Sequence, residues 1–415
     1  MTDTLDRDTS TTLVTGTPES VGLSTAGLEK IDAYLQELVD DGTLAGVVTL
    51  VARHGRTVHT SVMGKKDLAG GEPLKLDTIF RIFSMTKPVT GAAMSICWDE
   101  GYWTPDDLVE KHLPGFGAAG VFDGLDADGK PRTVPLKAPA TMRQLMTHTA
   151  GLSYGFNPQD PLDKLYQEAQ VWQSASLAEF AAKVAALPLR YEPGTKWVYS
   201  MSMDVQAALI ERWTGMSVPD FYRTRLFEPL DMVDTAFHTP PAKAARRATL
   251  YRWSPTQKQL IESPPILGRD HDAPPALANG GGGLVSTARD YARFAQMLLN
   301  GGELGGVRVV SREALALQMA NHLSDELMAG GFGVGLQQIR PGYGHGFDGA
   351  VFTDPDAAGV PVGKGTYQWD GAAGTWFWVD PVHDLLYVGL IQRLAEQSPH
   401  LQQITQTMMA DAYLD

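Results

Sequence analysis

Two serines stand in patterns that can support acyl chemistry. In Ser84-Met85-Thr86-Lys87 a lysine follows a serine by three residues, which on a helix is one turn along the same face. A hydroxyl is a poor nucleophile at neutral pH unless a neighbouring base takes its proton. A lysine withdrawn from water can be that base, because burial lowers its pKa toward neutrality. A helix N-terminus at the serine would also stabilise developing negative charge. By spacing alone, an N-cap serine followed by a solvated lysine fits as well. The rival is Gly151-Leu152-Ser153-Tyr154-Gly155, which matches Gly-x-Ser-x-Gly, where a sharp strand-to-helix turn lifts the hydroxyl above a sheet.

The flanking elements separate the two. Ser84 follows the apolar FRIF and leads into MTKPVTGAAMSICWDEG, where Ile82, Met85, Val89, Ala92, Ala93 and Ile96 can cover a buried helical face. Pro88 falls in the first turn, where a missing N–H costs little. Ser153 has the reverse setting. Met142, Leu145 and Met146 repeat at helical spacing before it, and FNPQDPLD after it suits a loop. GLSYG therefore reads as a helix-terminating turn with Gly151 as C-cap, and Ser153 as a decoy.

Around these motifs the chain alternates in character. Ser24 is a good N-cap for a helix carrying Leu28, Ile31, Leu35 and Leu38. AGVVTLVARHG and TVHTSVMG read as a hairpin, and GTWFWVDP with LLYVGLIQRL as another, followed by a helix over 398–413. Segments 84–100, 105–113, 141–148, 176–187 and 204–214 read as mostly helical. The expected fold is α/β (α+β), an antiparallel sheet flanked by helices with an inserted, mostly helical domain. Its parts are a flexible tail over 1–18, a sheet domain over 19–83 and 266–415, and a helical domain over 84–265, with the site at their interface. The stretch ILGRDHDAPPALANGGGG (266–283) reads as the most flexible connection.

Bulk properties exclude several classes. The 415 residues carry 34 bases against 48 acids, a formal net charge of −14, which argues against nucleic acid or an anionic membrane as partner. Cys97 is the single cysteine, so no intrachain disulfide or multi-cysteine metal site can form. The N-terminus has neither a basic segment nor an apolar core, and no run of roughly 18 apolar residues occurs. A cytoplasmic chain without metal or cofactor is expected.

Four landmarks occur in order: SMTK at 84–87, LMTHTAGL at 145–152, WVYSMSMDVQAALIERWTG at 197–215 and YQWDGAAGTWFWVDP at 367–381. Together they resemble the serine β-lactamase and penicillin-binding-protein superfamily over roughly residues 20–410, most closely the family VIII carboxylesterases. The resemblance implies that Ser84 attacks the acyl carbon, that Lys87 helps remove its proton, and that Tyr199 relays protons as base and then acid. With an ordinary pKa near 10, Tyr199 would need cations such as Lys87 to lower it. The oxyanion hole would use the N–H groups of Ser84 and Ala372. Trp369, Asp370, Gly371 and Tyr154 would contact substrate, with Phe156 and Trp172 as further candidates for an acyl pocket.

The chain also departs from the lactamase pattern. Trp369-Asp370-Gly371 stands where lactamases have Lys-Thr-Gly, and Met201 where many have Asn. An indole and a carboxylate in place of a cation disfavour anionic β-lactams and favour neutral acyl esters. The expected activity is hydrolysis of small carboxylic esters through an acyl-serine intermediate. The alternatives are acyl transfer to an alcohol or amine, and a β-lactamase or D-amino-acid peptidase. His148 reads as structural, and Asp270-His271-Asp272 as solvated charge rather than metal ligands.

Overall fold

The computed structural model describes residues 14–266, 271–330, 332–334, 337–339, 341–394 and 398–414. Its centre is an eight-stranded sheet: β1 (Val14–Thr15), β2 (Gly46–Arg53), β3 (Arg56–Gly64), β4 (Tyr343–His345), β5 (Ala350–Phe352), β6 (Tyr367–Asp370), β7 (Trp376–Asp380) and β8 (Leu385–Leu390). The spatial order is β1-β3-β2-β8-β7-β6-β5-β4. All pairs are antiparallel except β1 with β3. The first hairpin turns at His54 and Gly55, both with positive φ, as a tight two-residue turn demands.

Alternation along the strands sends side chains to two different cores. On one face Val47, Val51, Trp376, Trp378 and Tyr387 pack with α1 (Thr25–Asp40) and the chain's last helix, Leu401–Met409. On the other, Val48, Leu50, Ala52, Phe377, Val379 and Val388 join the main core with the helix Ala288–Leu299. Covered on both sides, β2, β7 and β8 are buried throughout. Ser24 caps α1 as expected, accepting from the Gly27 N–H.

Between the two halves of the sheet, the chain builds a helical region. Its centre is α2 (Thr86–Asp99), in which every residue from Thr86 to Cys97 is buried. A helix buried all round is a core element, not a surface one. Against it packs α5 (Ser202–Thr214), which in turn carries α3 (Met142–Met146) and α4 (Leu177–Ala185). In the expected helix over 105–113, only Val109–His112 is helical. Leu113 is extended because it precedes Pro114.

Three other expectations change. Within the supposed flexible tail, residues 1–13 lie outside the described residues, but Val14–Thr15 pairs with β3 and Pro18–Val21 forms a 3-10 turn. The helix before Ser153 ends at Met146, with Thr147 as C-cap and His148 in the left-handed region. Gly151 is glycine for another reason: its φ is +85°, and a Cβ there would lie 2.2 Å from the Tyr191 carbonyl oxygen. Finally, of the stretch 266–283, residues 267–270 lie outside the described residues and 272–276 are largely exposed, but 277–281 are buried, so the glycine run is packed structure.

Candidate active site

Ser84 lies in a single 3-10 turn, Phe83–Met85, that runs directly into α2. Several elements hold the turn. The Ile82 N–H donates to Leu284 O at 3.1 Å, Tyr291 OH donates to Met85 O at 2.8 Å, and Thr375 Oγ1 donates to Ile82 O at 3.3 Å. Phe83, just before Ser84, has φ of +42°. Such a conformation in a bulky residue is strained and persists only where its surroundings impose it. Ser84 itself remains partly accessible.

Lys87 is fully buried, with 0% exposure. Its Nζ lies 3.1 Å from Ser84 Oγ, 2.6 Å from Gly281 O and 3.4 Å from Tyr154 OH. Burial lowers its pKa to about 8, against the opposing charges of Asp204, Asp348 and Asp370. A neutral amine has two N–H bonds and one lone pair. With the N–H groups directed to Gly281 O and Tyr154 OH, the lone pair is left for the serine proton.

The glycine segment makes this possible. A Cβ at Gly281 would lie 2.7 Å from both Asp204 Oδ2 and Tyr154 OH, so only glycine lets this carbonyl reach the amine. Asp204 Oδ1 accepts the Gly281 N–H at 2.9 Å, anchoring the residue whose carbonyl holds Lys87. Asp204, on α5 and 0% exposed, escaped the sequence reading. Its position five residues after Tyr199 on an otherwise apolar helical face was the available signal.

Tyr199 OH lies 2.6 Å from Ser84 Oγ, and the Lys87 amine sits over the Tyr199 ring, 4.6 Å from its centroid. The expected lowering of the phenol's pKa does not occur. Burial pushes it up, only partly opposed by the hydrogen bond with Ser84, and Asp370 and Asp204 push it further. The lysine touches the ring face, so its charge does little for the oxygen. Tyr199 is a neutral phenol at rest.

His148 organises this tyrosine. Its Nδ1 accepts the Ser200 N–H at 3.2 Å, and its carbonyl accepts the Val198 N–H at 2.9 Å. Its ring centroid is 4.9 Å from that of Tyr199. Burial, with the charges of His345 and Lys87, holds its pKa well below the usual histidine range. It is a neutral structural group.

The end of β6 completes the wall. Trp369 stacks on Tyr199 with centroids 6.1 Å apart. A Cβ at Gly371 would lie 2.3 Å from Ile82 O, so this strand end is pressed against the backbone leading to Ser84. Ala372 follows this glycine, and its amide donates to no acceptor among the described residues. Asp370 is partly exposed, opposite Trp376 in the strand register, and thus on the other strand face from Trp369. It acts on Lys87 and Tyr199 through space. Tyr154 stacks on Phe156 (4.3 Å) and Trp172 (5.7 Å) and lies 5.1 Å from Tyr199, so all of these rings adjoin the site.

Ser153 belongs elsewhere. It is 4% exposed, donates to Asp163, and accepts from Arg190. Another serine, Ser61, meets His59 and Asp32, but the same ring nitrogen, Nε2, faces both the serine (3.0 Å) and the aspartate (2.9 Å). A relay needs the two partners on opposite nitrogens, so this trio is structural. In the cluster expected to be solvated, Asp270 lies outside the described residues, His271 is 7% exposed, and Asp272 is ion-paired with Arg247. The Arg247 guanidinium and the Thr239 N–H bind the His271 carbonyl, which draws that segment inward. No group of three His, Cys, Asp or Glu among the described residues could hold a metal ion, and no described helix is long and apolar enough to cross a membrane.

Comparison with known proteins agrees with this construction. A family model described as Beta-lactamase matches residues 31–407. The chain belongs to that family. Protein Rv1367c of Mycobacterium tuberculosis is 36% identical over 375 residues, 89% of this chain and 91% of that one. Esterase EstB of Burkholderia gladioli is 29% identical over 384 residues, 87% of this chain and 89% of that one. Among solved structures, EstCE1, described as a hydrolase with promiscuous acyltransferase activity, shares the fold with a TM-score of 0.77 at 24% identity, covering 94% of this chain and 100% of that one. The Beta-lactamase family is thus represented here by a sheet-and-helix body with mixed α/β content, and its relatives include esterases and acyltransferases.

Proposed function

We propose that this chain hydrolyses small carboxylic esters through an acyl intermediate on Ser84. The observation that carries the reading is the buried Lys87 amine, with a pKa of about 8, lying 3.1 Å from a hydroxyl that also touches a neutral phenol. In acylation, Lys87 takes the Ser84 proton as Oγ attacks the carbonyl carbon. The oxyanion lies at the N–H groups of Ser84 and Ala372. As the ester C–O bond breaks, the leaving alkoxide takes the Tyr199 proton and departs as alcohol. This leaves Lys87 as an ammonium and Tyr199 as a phenolate until deacylation returns both protons. In deacylation the phenolate takes a proton from water, whose oxygen attacks the acyl carbon. Ser84 then recovers its proton from Lys87 as the acid leaves. Tyr199 is thus acid first and base second.

Trp369, Tyr154 and Phe156 form apolar walls for the acyl or alcohol group, and Asp370 disfavours anionic substrates such as β-lactams. Esterase EstB supports ester hydrolysis as the activity. A second reading, transfer of the acyl group to an alcohol, is favoured by the ring-lined walls, which limit water, and by the acyltransferase activity in the description of EstCE1. The test is to trap an acyl adduct from a chromogenic short-chain ester and map the labelled peptide by mass spectrometry. The adduct is expected on Ser84, with a burst of released alcohol. An adduct on Ser153, or none with steady turnover, contradicts the reading.

A further inference from the structure

Four glycines follow Asn279, and one of them stands apart from the rest. A Cβ at Gly280 would lie 2.5 Å from Met203 O, and one at Gly281 would lie 2.7 Å from Asp204 Oδ2 and Tyr154 OH. At Gly283 it would lie 2.8 Å from Asn279 O and from the Phe237 ring. A carbon cannot stand that close, so packing demands glycine at these three positions. Gly282 carries no such demand. A Cβ there would come no nearer than 3.7 Å to any atom beyond its chain neighbours, which is ordinary van der Waals contact. Its φ also lies outside the left-handed region. Packing and backbone conformation would both admit a side chain at 282, and the chain has none.

Its place gives that omission a meaning. The atoms nearest to the Cβ position are the carbonyl carbon and Cα of Phe83, at 3.7 and 3.9 Å, and Asn279 Oδ1 at 3.8 Å. The Phe83 carbonyl carbon belongs to the peptide that carries the Ser84 N–H. The peptide joining Gly281 to Gly282 carries the oxygen that Lys87 binds at 2.6 Å. Gly282 therefore adjoins the supports of both reacting groups. From Leu277 to Ala288 every residue is buried except Gly282, and Ser84 is likewise partly accessible. This is where the segment reaches open space, and the missing side chain leaves room beside the Phe83–Ser84 peptide. With Ser84 as nucleophile and its N–H in the oxyanion hole, the carbon of an ester carbonyl is held next to that peptide.

We infer that Gly282 sets the bulk of the acyl group that the site accepts, and that its room takes a branch on the carbon bonded to the carbonyl. This rests on the esterase reading for which atoms react. The test compares kcat/KM for acetyl, isobutyryl and pivaloyl esters of one chromogenic alcohol, in the parent, Gly282→Ala and Gly282→Val. Added carbons at a close-fitting wall change specificity by about tenfold to a hundredfold. The pivaloyl-to-acetyl ratio should fall about tenfold in Gly282→Ala and about a hundredfold in Gly282→Val, with isobutyryl between. Ratios that stay constant, or a loss seen instead with acetyl esters of branched alcohols, overturn the inference. Thermal unfolding separates specificity from misfit. Gly282→Ala should unfold at or above the parent's temperature, whereas Gly280→Ala and Gly283→Ala, which meet backbone oxygens, should unfold at lower ones. A Gly282→Ala protein that unfolds as early as these would make the glycine structural and overturn the inference.

Binding of the acetyl and pivaloyl esters to Ser84→Ala, with and without Gly282→Ala, is measured by calorimetry and needs no turnover. If the added methyl weakens the pivaloyl ester about tenfold more than the acetyl ester, while the unaltered protein cleaves neither, the esterase reading fails and this inference stands. If esters are cleaved through an adduct on Ser84 with size ratios that Gly282→Ala leaves alone, the reverse holds.

Discussion

Ser84 and Ser153 are both drawn close to a basic side chain, yet the two neighbourhoods work differently. Ser84 meets a buried lysine whose pKa burial lowers to about 8. Ser153 meets Arg190, which is paired with Asp160 and Asp163. Burial opposes the charge on Arg190, but these carboxylates raise its pKa further above an already high value. A guanidinium held this way never accepts a proton. The carboxylate Asp163 already accepts the Ser153 hydroxyl, and both of these side chains are buried. The contrast teaches that a basic neighbour can serve a serine as proton acceptor only where it can lose its charge, as burial favours for Lys87 and ion pairing prevents for Arg190.

The most direct way to break this comparison is to make the first neighbourhood resemble the second. Lys87→Arg keeps a cation near Ser84 but removes the lone pair. Ester turnover should fall at least about a thousandfold, as in Ser84→Ala. Lys87→Met, which fits the apolar surroundings, should match it and separates the loss of a base from misfit. Steady-state rates with a chromogenic ester check this, and a variant within tenfold of the parent would remove Lys87 from the mechanism. Tyr199→Phe keeps the stacking on Trp369 and loses only the hydroxyl. A fall of about a hundredfold to a thousandfold is expected, with both the burst and the steady state slowed because the phenol serves both steps.

Some of this was legible in the residues and some was not. The helical spacing of Leu28, Ile31 and Leu35 and the β-branched runs of β2 and β8 predict their elements because one local period sets each. SMTK and the tyrosine of WVYSMS carry their spacing and order along the chain. The glycines misled for a physical reason. Loop flexibility and close backbone approach both demand glycine, and only coordinates show that Gly281 brings a carbonyl to Lys87. Asp204 was missed because its role passes through a peptide 77 residues away. The direction of the Tyr199 shift was misjudged because charge was weighed and burial was not.

A subtler test sharpens what sets the amine apart. If Lys87 is the base, kcat/KM should rise with pH and level off above an apparent pKa of about 8. Asp204 and Asp370 both raise that pKa, since each stabilises the ammonium. Removing either charge should move the rise to lower pH, more for Asp204→Asn than for Asp370→Asn. A larger fraction of the amine is then neutral at pH 7. The shift is read from complete pH profiles, and a midpoint moving to higher pH would contradict the assignment of the base.

The smallest effects belong to the second serine. Ser153→Ala removes a hydroxyl between Asp163 and Arg190 but leaves their direct ion pair, and Arg190 still holds Asp160. The hydrogen bond donated to Asp163 and those accepted from Arg190 are lost, so stability should fall by about 1–3 kcal/mol, measured by chemical denaturation. Arg190→Ala, which strands the buried Asp163 carboxylate, should cost about 3 kcal/mol or more. Turnover per folded molecule should change less than twofold in Ser153→Ala, because no atom of this group touches Lys87, Tyr199 or Ser84. A large loss of turnover with unchanged stability would mean that the two neighbourhoods have been assigned the wrong way round.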